Sequence, residues 1–366
     1  MKLKSIVIAV AVLAILSGIA YRLNRSQKPA ESNPRVGRPL VEPAAIAGVQ
    51  RIHLSDQGKT LNLSRQQDGT WVDDGYFGLP ADFSKLSSFV ADLTGAKVQR
   101  LVTENPARLA RLEFKDSRIE FLDSSGRALA SVTLGKMGER AGRFVRFGNE
   151  PRAYFSDLNL WLDLEPKGWA LTTLVDLKPD AVSRLEIGFS SGTPVVAARE
   201  KKGGVWKAEP APAGQVLKED KVSSVLGYLG SLRFSDTSEP SDPKAIEARA
   251  HSRTLKVSTF DGTIYTVVMG RKPEEKKPKA PAPKPPEGKA KDQATATAKE
   301  PEFETIPAGP VYVWVTSSDA KAPVNALMAR RSFQIDDYVF TGLPEKAADL
   351  FEPGPSAPPP EPQKKG

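Results

Sequence analysis

The feature that most constrains the fold of this chain is a long-range internal repeat. Four short segments of the first half have counterparts 133 to 136 residues further on, in the same order. The pairs are 49–54 with 182–187, 69–72 with 204–207, 85–90 with 221–226, and 132–136 with 267–271. A repeat unit of this size predicts two tandem domains, because the units of solenoid proteins span only about 20 to 50 residues.

Each copy of the repeat combines alternating apolar residues with one amphipathic helix. Between residues 52 and 63, apolar and polar residues alternate around a turn, which predicts a half-buried hairpin. Asp82 is a predicted N-cap for a helix whose apolar residues recur at three- and four-residue steps, and a second helix is predicted at 219–229. Antiparallel strands with one helix against them place both duplicated modules in the α+β class.

The N-terminal residues predict a membrane anchor. Residues 5–21 form an uncharged, mostly apolar run of 17 residues, followed directly by Arg22. As a helix at ~1.5 Å per residue, this run spans about 26 Å, close to the ~30 Å of a bilayer core. We therefore expect residues 1–21 to be a transmembrane helix of a single-pass protein in the bacterial inner membrane, with the bulk of the chain extracytoplasmic. A cleaved signal peptide with Gly18-Ile-Ala20 as its site is the alternative.

The rest of the predicted organisation follows from composition. Residues 22–47 contain four prolines and predict a spacer, and the Pro-rich tail at 352–366 is predicted to be disordered. Between them lie a first module at 48–178 and a second at 179–351. An insert at 271–308, rich in Lys, Pro and Ala, lacks the apolar residues that would offset its ordering entropy. We expect this insert to be a disordered loop within the second module.

Charge and cysteine content exclude several classes of protein. The net charge is +8, of which +5 lies in residues 1–45 and +4 in residues 271–300, so the two modules are close to neutral. A nucleic-acid-binding protein would concentrate basic residues on a folded face, and we expect no nucleic-acid partner. The chain has no cysteine, which excludes disulfides, thiol catalysis and cysteine metal sites.

The sequence contains no set of residues with the spacing of a catalytic or metal site. The two histidines, His53 and His251, are far apart and have no ligand-like spacing. The carboxylate pairs at 73–74 and 336–337 are interpreted as turn or solvent positions, since adjacent side chains of a strand point to opposite faces. We therefore expect no enzymatic activity, no catalytic residue, no metal and no cofactor.

The tryptophans are the remaining candidates for a binding site. Trp71 and Trp206 occupy matching positions of the repeat, which favours a core aromatic in each module over a stacking platform for a sugar or peptide. Trp161 and Trp169 have no counterparts in the second module. Packing of the junction between modules is one interpretation of these two residues, and a partner-binding patch is the other.

An ordered set of short motifs resembles a known family. The motifs are Trp71, 103–106, 134–136, 143–146, 161–163, Trp169 and 174–177. In these motifs the chain is similar to a family of bacterial envelope proteins catalogued as domain of unknown function 4340, over most of residues 48–350 and best in the first module. The resemblance implies single-pass membrane proteins, often encoded beside a gliding-type ABC transporter as an auxiliary component, with no established catalytic residue.

These observations lead to two hypotheses of function and a third that they disfavour. The first is a non-enzymatic, membrane-anchored envelope protein that serves as an auxiliary component of an ABC-type, gliding-associated transport complex, with the permease and the ATPase as partners. The alternative is a tether that binds the cell wall or another envelope polymer, motivated by the basic insert at 271–308. A hydrolase with a site between the modules is disfavoured, because no nucleophile, base or metal set is evident.

Overall fold

The computed structural model describes residues 33–139, 141–189, 191–278 and 303–354. The chain divides into two compact units, with the division in the sequence between Leu171 and Thr172. Each unit is built on one large sheet, and two small two-stranded sheets complete the β structure of the described residues.

The first unit has nine strands and three α-helices among its described residues. In chain order they are α1 (Pro43–Ile46), β1 (Arg51–Asp56), β2 (Lys59–Arg65), β3 (Trp71–Asp73), β4 (Leu79–Pro80), α2 (Phe83–Gly95), β5 (Val98–Thr103), α3 (Pro106–Leu109), β6 (Arg118–Leu122), β7 (Ala128–Met137), β8 (Arg143–Phe147) and β9 (Ala153–Ser156). The strands form one antiparallel sheet in the order β4-β3-β2-β1-β6-β7-β8-β9-β5. Short 3-10 helices lie at Ala110–Leu112 and Pro166–Trp169.

The second unit contains a comparable set of elements. In chain order they are β10 (Val182–Ile187), β11 (Val195–Ala198), β12 (Lys207–Ala208), β13 (Gln215–Leu217), α4 (Glu219–Gly230), β14 (Asp236–Ser238), α5 (Pro243–Ala250), β15 (Ser252–Thr259), β16 (Ile264–Gly270), β17 (Glu275–Pro278), β18 (Phe303–Ile306), β19 (Val311–Ser317), α6 (Pro323–Arg330), β20 (Ser332–Ile335), α7 (Asp337–Thr341) and β21 (Phe351–Pro353). The large sheet has the order β12-β11-β10-β15-β16-β19-β20-β14, while β13 pairs with β21 and β17 pairs with β18. Short 3-10 helices lie at Pro179–Ala181 and Ala347–Leu350.

The two large sheets share one strand order. The sequence β3-β2-β1-β6-β7-β8-β9-β5 of the first unit corresponds strand for strand to β12-β11-β10-β15-β16-β19-β20-β14 of the second. Helix α2 precedes the edge strand β5 in the chain, and α4 likewise precedes β14. Equivalent residues of the two units can therefore be compared by their place in the sheet.

The core of the first unit lies between helix α2 and one face of its sheet. In β1 the buried residues Ile52 and Leu54 are register partners of buried residues in both β2 and β6, so alternation directs one continuous apolar surface to this face. Leu86, Phe89 and Leu93 of α2 belong to the same cluster. These positions recur at three- and four-residue steps, as the sequence predicts.

The start of α2 is also confirmed. The carboxylate of Asp82 accepts hydrogen bonds from the backbone N–H groups of Ser84 and Lys85 at 2.9 and 3.2 Å. These bonds satisfy two donors that the first helical turn leaves unpaired. The helix therefore begins at Phe83, and this residue projects from its first turn.

The predicted fold class requires correction. The described chain is mainly antiparallel β-sheet, and only α2 and α4 among its helices exceed eight residues. The longest, α2, has 13 residues, or about 20 Å at ~1.5 Å per residue, which is short of a ~30 Å bilayer core. Within the described ranges no helix has the length and apolar character needed to span a membrane.

The predictions that depended on a transmembrane helix are corrected with the fold class. The predicted N-terminal transmembrane helix is not part of the fold class, because no described helix is long and apolar enough. The single-pass location in the inner membrane, with the bulk of the chain extracytoplasmic, depended on that helix and is corrected with it. The segment on which these predictions rest, residues 1–21, lies outside the described residues, as do residues 22–32 of the predicted spacer at 22–47.

Two other predicted boundaries differ from the structure. The predicted first module ends at residue 178, whereas the first unit ends at Leu171. Leu174 N–H donates to the carbonyl of Leu232 and Phe234 N–H donates to that of Thr172, so this segment belongs to the second unit. The ends of the predicted insert at 271–308 form the paired strands β17 and β18. Residues 279–302 of that insert, and 355–366 of the predicted disordered tail, lie outside the described residues.

Replacing Leu93 with alanine should destabilise the first unit strongly. Leu93 is fully buried on the face of α2 that packs against the sheet. The change leaves a cavity there, and we expect the free energy of unfolding to fall by about 2–5 kcal/mol. Urea denaturation followed by far-UV circular dichroism and tryptophan fluorescence measures the loss. Ser88→Ala, at an exposed position of the same helix, should change it by less than about 0.5 kcal/mol. Equal losses in the two variants would contradict the packing described here.

Candidate functional site

The two tryptophans predicted to bind a partner occupy different environments. Trp169 is 2% exposed and lies in the core of the first unit. Its indole N–H donates to the carbonyl of Asp163 at 2.8 Å, and its ring meets that of Phe89 edge-on with centroids 5.5 Å apart. The ammonium of Lys85 lies 4.6 Å from its ring centroid. Trp169 therefore serves packing, and it presents almost no surface to a partner.

Trp161 is the exposed member of the predicted pair. Its side chain is 74% exposed, because Leu160 and Leu162 on either side of it pack against the core and direct it outward. The guanidinium carbon of Arg143 lies 5.9 Å from its ring centroid. Arg143 is buried and donates to the carbonyls of Gly135 and Leu160 at 2.8 and 2.7 Å. The partner-binding role of Trp161 stays a prediction.

An apolar groove opens beside the N-terminal end of helix α2. It has a volume of about 270 Å³ and lies between the helix and strands β1, β2, β3 and β6. Phe83, at the first position of the helix, is 69% exposed, and Trp71 is half-buried. The residues that line the groove are Ile46, Val49, Ile52, Arg65, Trp71, Phe83, Leu86, Ser87, Val90 and Phe121.

Arg65 is the one charged residue in this lining. It is the register partner of Trp71 across strands β2 and β3, so the two side chains are close neighbours. Arg65 is exposed, and its guanidinium has no hydrogen-bond or ion-pair partner within the described residues. The groove thus combines an apolar wall with a free cation at its rim.

The core interpretation of the matched tryptophans holds fully for only one of them. Trp206 of the second unit is 6% exposed. Trp71 is half-buried and lines the groove. The sequence gives no signal of this difference, because both positions carry tryptophan after a glycine in the same part of the repeat.

A larger cavity of about 630 Å³ in the first unit has six charged residues in its lining. Arg152 pairs with Glu104 at 2.7 Å, and Arg35 pairs with Glu150. Four of the six charges are therefore neutralised within the cavity wall. The groove has a more apolar lining with a single charge, and we place the candidate site there.

The acid–base candidates are engaged in local contacts or remain exposed. His53 shares a hydrogen bond of 2.7 Å with the side chain of Asn62, and His251 is exposed at the end of α5. Asp74 accepts a hydrogen bond from Ser64, and Asp337 pairs with Arg271. In the part of the chain that the structure describes, no three acidic, histidine or cysteine residues cluster as metal ligands would.

Asp73 differs from its predicted solvent position. It is 0% exposed, and its register partners Leu63 and Leu79 are buried as well. One carboxylate oxygen accepts from the backbone N–H of Gly75 at 2.8 Å, whereas Oδ2 has no partner. Burial raises the pKa of Asp73 to about 6, and nearby backbone N–H groups offset this only in part.

Comparison with known proteins identifies one family. A family model described as Domain of unknown function (DUF4340) matches residues 71–250. This range includes Trp71, Phe83, Trp161 and Trp169, and it extends into the second unit as far as the end of α5. Neither the curated proteins nor the solved structures contain a significant match.

Removing the charge of Asp73 should stabilise the protein above pH 6. Its pKa is raised from 3.8 to about 6 in the fold, so the protonated form stabilises the native state below about pH 4 and this contribution is lost as pH rises through 6. Asp73→Asn is neutral throughout, and we expect up to about 3 kcal/mol of added stability at pH 8. Urea denaturation of both proteins from pH 4 to 8 measures the difference. A constant difference across this range would show that Asp73 does not titrate as described.

Proposed function

Residues 71–250 belong to the domain of unknown function 4340 family, and from this premise we propose that the protein is a non-enzymatic auxiliary component of an ABC-type transport complex. Its partners are the permease and the ATPase of that complex. The resemblance of the sequence to this family implies the transport context, and the groove of the first unit supplies the contact surface.

The open apolar groove is the observation that carries this proposal. Phe83 exposes most of its ring beside the half-buried Trp71. Large aromatic side chains at the edge of a recess are the usual anchors of protein interfaces, because they exclude water over a wide area when a partner covers them. Exposure of this apolar surface costs the isolated protein free energy that binding would recover.

A role in binding also agrees with the contacts of the ionisable residues. His53, Asp74 and Asp337 each engage a neighbouring side chain of the same unit. Asp73, the one carboxyl group among the described residues with a clearly raised pKa, is closed off from solvent at the end of β3. None of these four residues lines the groove.

Changing Phe83 should release the transporter subunits. Affinity purification of the tagged full-length chain from gently solubilised cells should recover a permease and an ATPase, identified by mass spectrometry. We expect Phe83→Ser to lower that recovery by about tenfold, since it removes an exposed interface anchor, while an unchanged circular dichroism spectrum shows that the fold persists.

Two further variants control this experiment. Phe303→Ser changes an exposed aromatic residue of the second unit, outside the groove, and should leave the recovery unchanged. Trp161→Ala tests the exposed Trp161 side chain as an additional contact with the partner. Purification of the wild-type chain without either transporter subunit would refute the proposal, and so would full recovery with Phe83→Ser.

A further inference from the structure

The duplication provides an internal reference for the groove. In the first unit the backbone N–H of Arg65 donates to the carbonyl of Gln50, and in the second the N–H of Arg199 donates to that of Ser183, both at 2.9 Å. Arg65 is the last residue of β2, and Arg199 directly follows β11, the corresponding strand. Each arginine lies beside the tryptophan of its unit. Arg65 with Trp71 is therefore equivalent to Arg199 with Trp206.

In the second unit, Arg199 closes the surface over Trp206. The guanidinium of Arg199 donates to the carbonyl of Val182 at 2.7 Å and also to that of Pro179. It lies 4.5 Å from the ring centroid of Trp206 and covers that ring. Arg199 is thus held within its own unit by two hydrogen bonds, and Trp206 is buried.

In the first unit the equivalent arginine is available to a ligand. Arg65 makes none of these contacts, and the ring of Trp71 remains half-exposed along the groove. The helix wall is also less filled here, since Val90 is half-buried whereas its counterpart Leu226 is 2% exposed. The same framework is therefore closed by its own residues in one unit and left open in the other.

The size of the groove restricts its occupant. Sites for whole small molecules usually enclose about 300–1,000 Å³, and this groove has about 270 Å³. One or two large side chains of a peptide would fill it. An unpaired guanidinium at the rim favours a carboxylate next to them, because an arginine can bind a carboxylate through two parallel hydrogen bonds.

We propose that the groove binds a peptide segment of a partner protein in which large apolar residues are followed directly by acidic residues. The apolar side chains lie against Trp71 and Phe83, and Arg65 binds the carboxylate. This inference rests on the proposed function, because it names the chemistry of the partner segment that the groove recognises.

Matched synthetic peptides test this specificity. Each contains a Leu-Phe pair followed by two residues that are both Glu, both Gln or both Lys, and binding to the full-length protein is measured by fluorescence anisotropy at low salt. We expect the Glu peptide to bind about five- to tenfold more tightly than the Gln peptide. Arg65→Gln should abolish that preference, and Arg65→Glu should transfer it to the Lys peptide. Arg111→Gln, at an exposed arginine outside the groove, should leave it unchanged.

The outcomes separate this inference from the function on which it rests. Equal binding of the Glu and Gln peptides, abolished by Phe83→Ser, would overturn the acidic specificity and leave the groove as a docking site. Failure of all three peptides to bind would overturn this inference, whereas the proposed function would fail only if the tagged chain purified without the permease and the ATPase. Decanoate is a further probe, and Arg65-dependent binding of decanoate tighter than that of the Glu peptide would overturn the assignment to a peptide.

Discussion

The packing of helix α2 on the first sheet determines the geometry of everything around it. Two contacts hold the helix against the short 3-10 helix at Pro166–Trp169. The N–H of Asp82, the residue before α2, donates to the carbonyl of Trp169 at 2.7 Å, and Phe89 meets the Trp169 ring edge-on. With the helix held there, Phe83 extends past the packed interface. The groove is the space between the projecting Phe83 side chain and the sheet. Its shape therefore depends on the core contact of Phe89 with Trp169, which lies outside the groove.

The sequence predicted the parts of the fold that depend on local periodicity. The alternation at β1 and β2, the cap at Asp82 and the apolar face of α2 all agree with the structure, because each reflects side-chain direction along a single element. The extent of the sheets was not predictable in the same way. Strand β5 pairs with β9, more than fifty residues away, and its register shifts twice. Long-range pairings of this kind leave no local pattern.

The candidate site was less predictable than the fold, and the residues show why. The exposure of Trp161 follows from the alternation of Leu160 and Leu162 with polar neighbours, a signal that was present in the sequence. The groove collects side chains from six helices and strands, and no spacing rule links Ile46 with Phe121. Arg65 and Arg199 are the same residue type at equivalent positions, so the residue type does not reveal which guanidinium covers the tryptophan of its unit.

Separation of the groove rim from the core has an evolutionary consequence. Arg65, Phe83 and Ser87 are exposed and contribute little to the buried face of the sheet, whereas Ile52 and Leu86 form its floor and are buried. Substitutions at the rim therefore have a small cost in folding free energy. Under the proposed function, these few surface codons are where partner preference changes without loss of the fold, while the second unit keeps the closed form of the same framework.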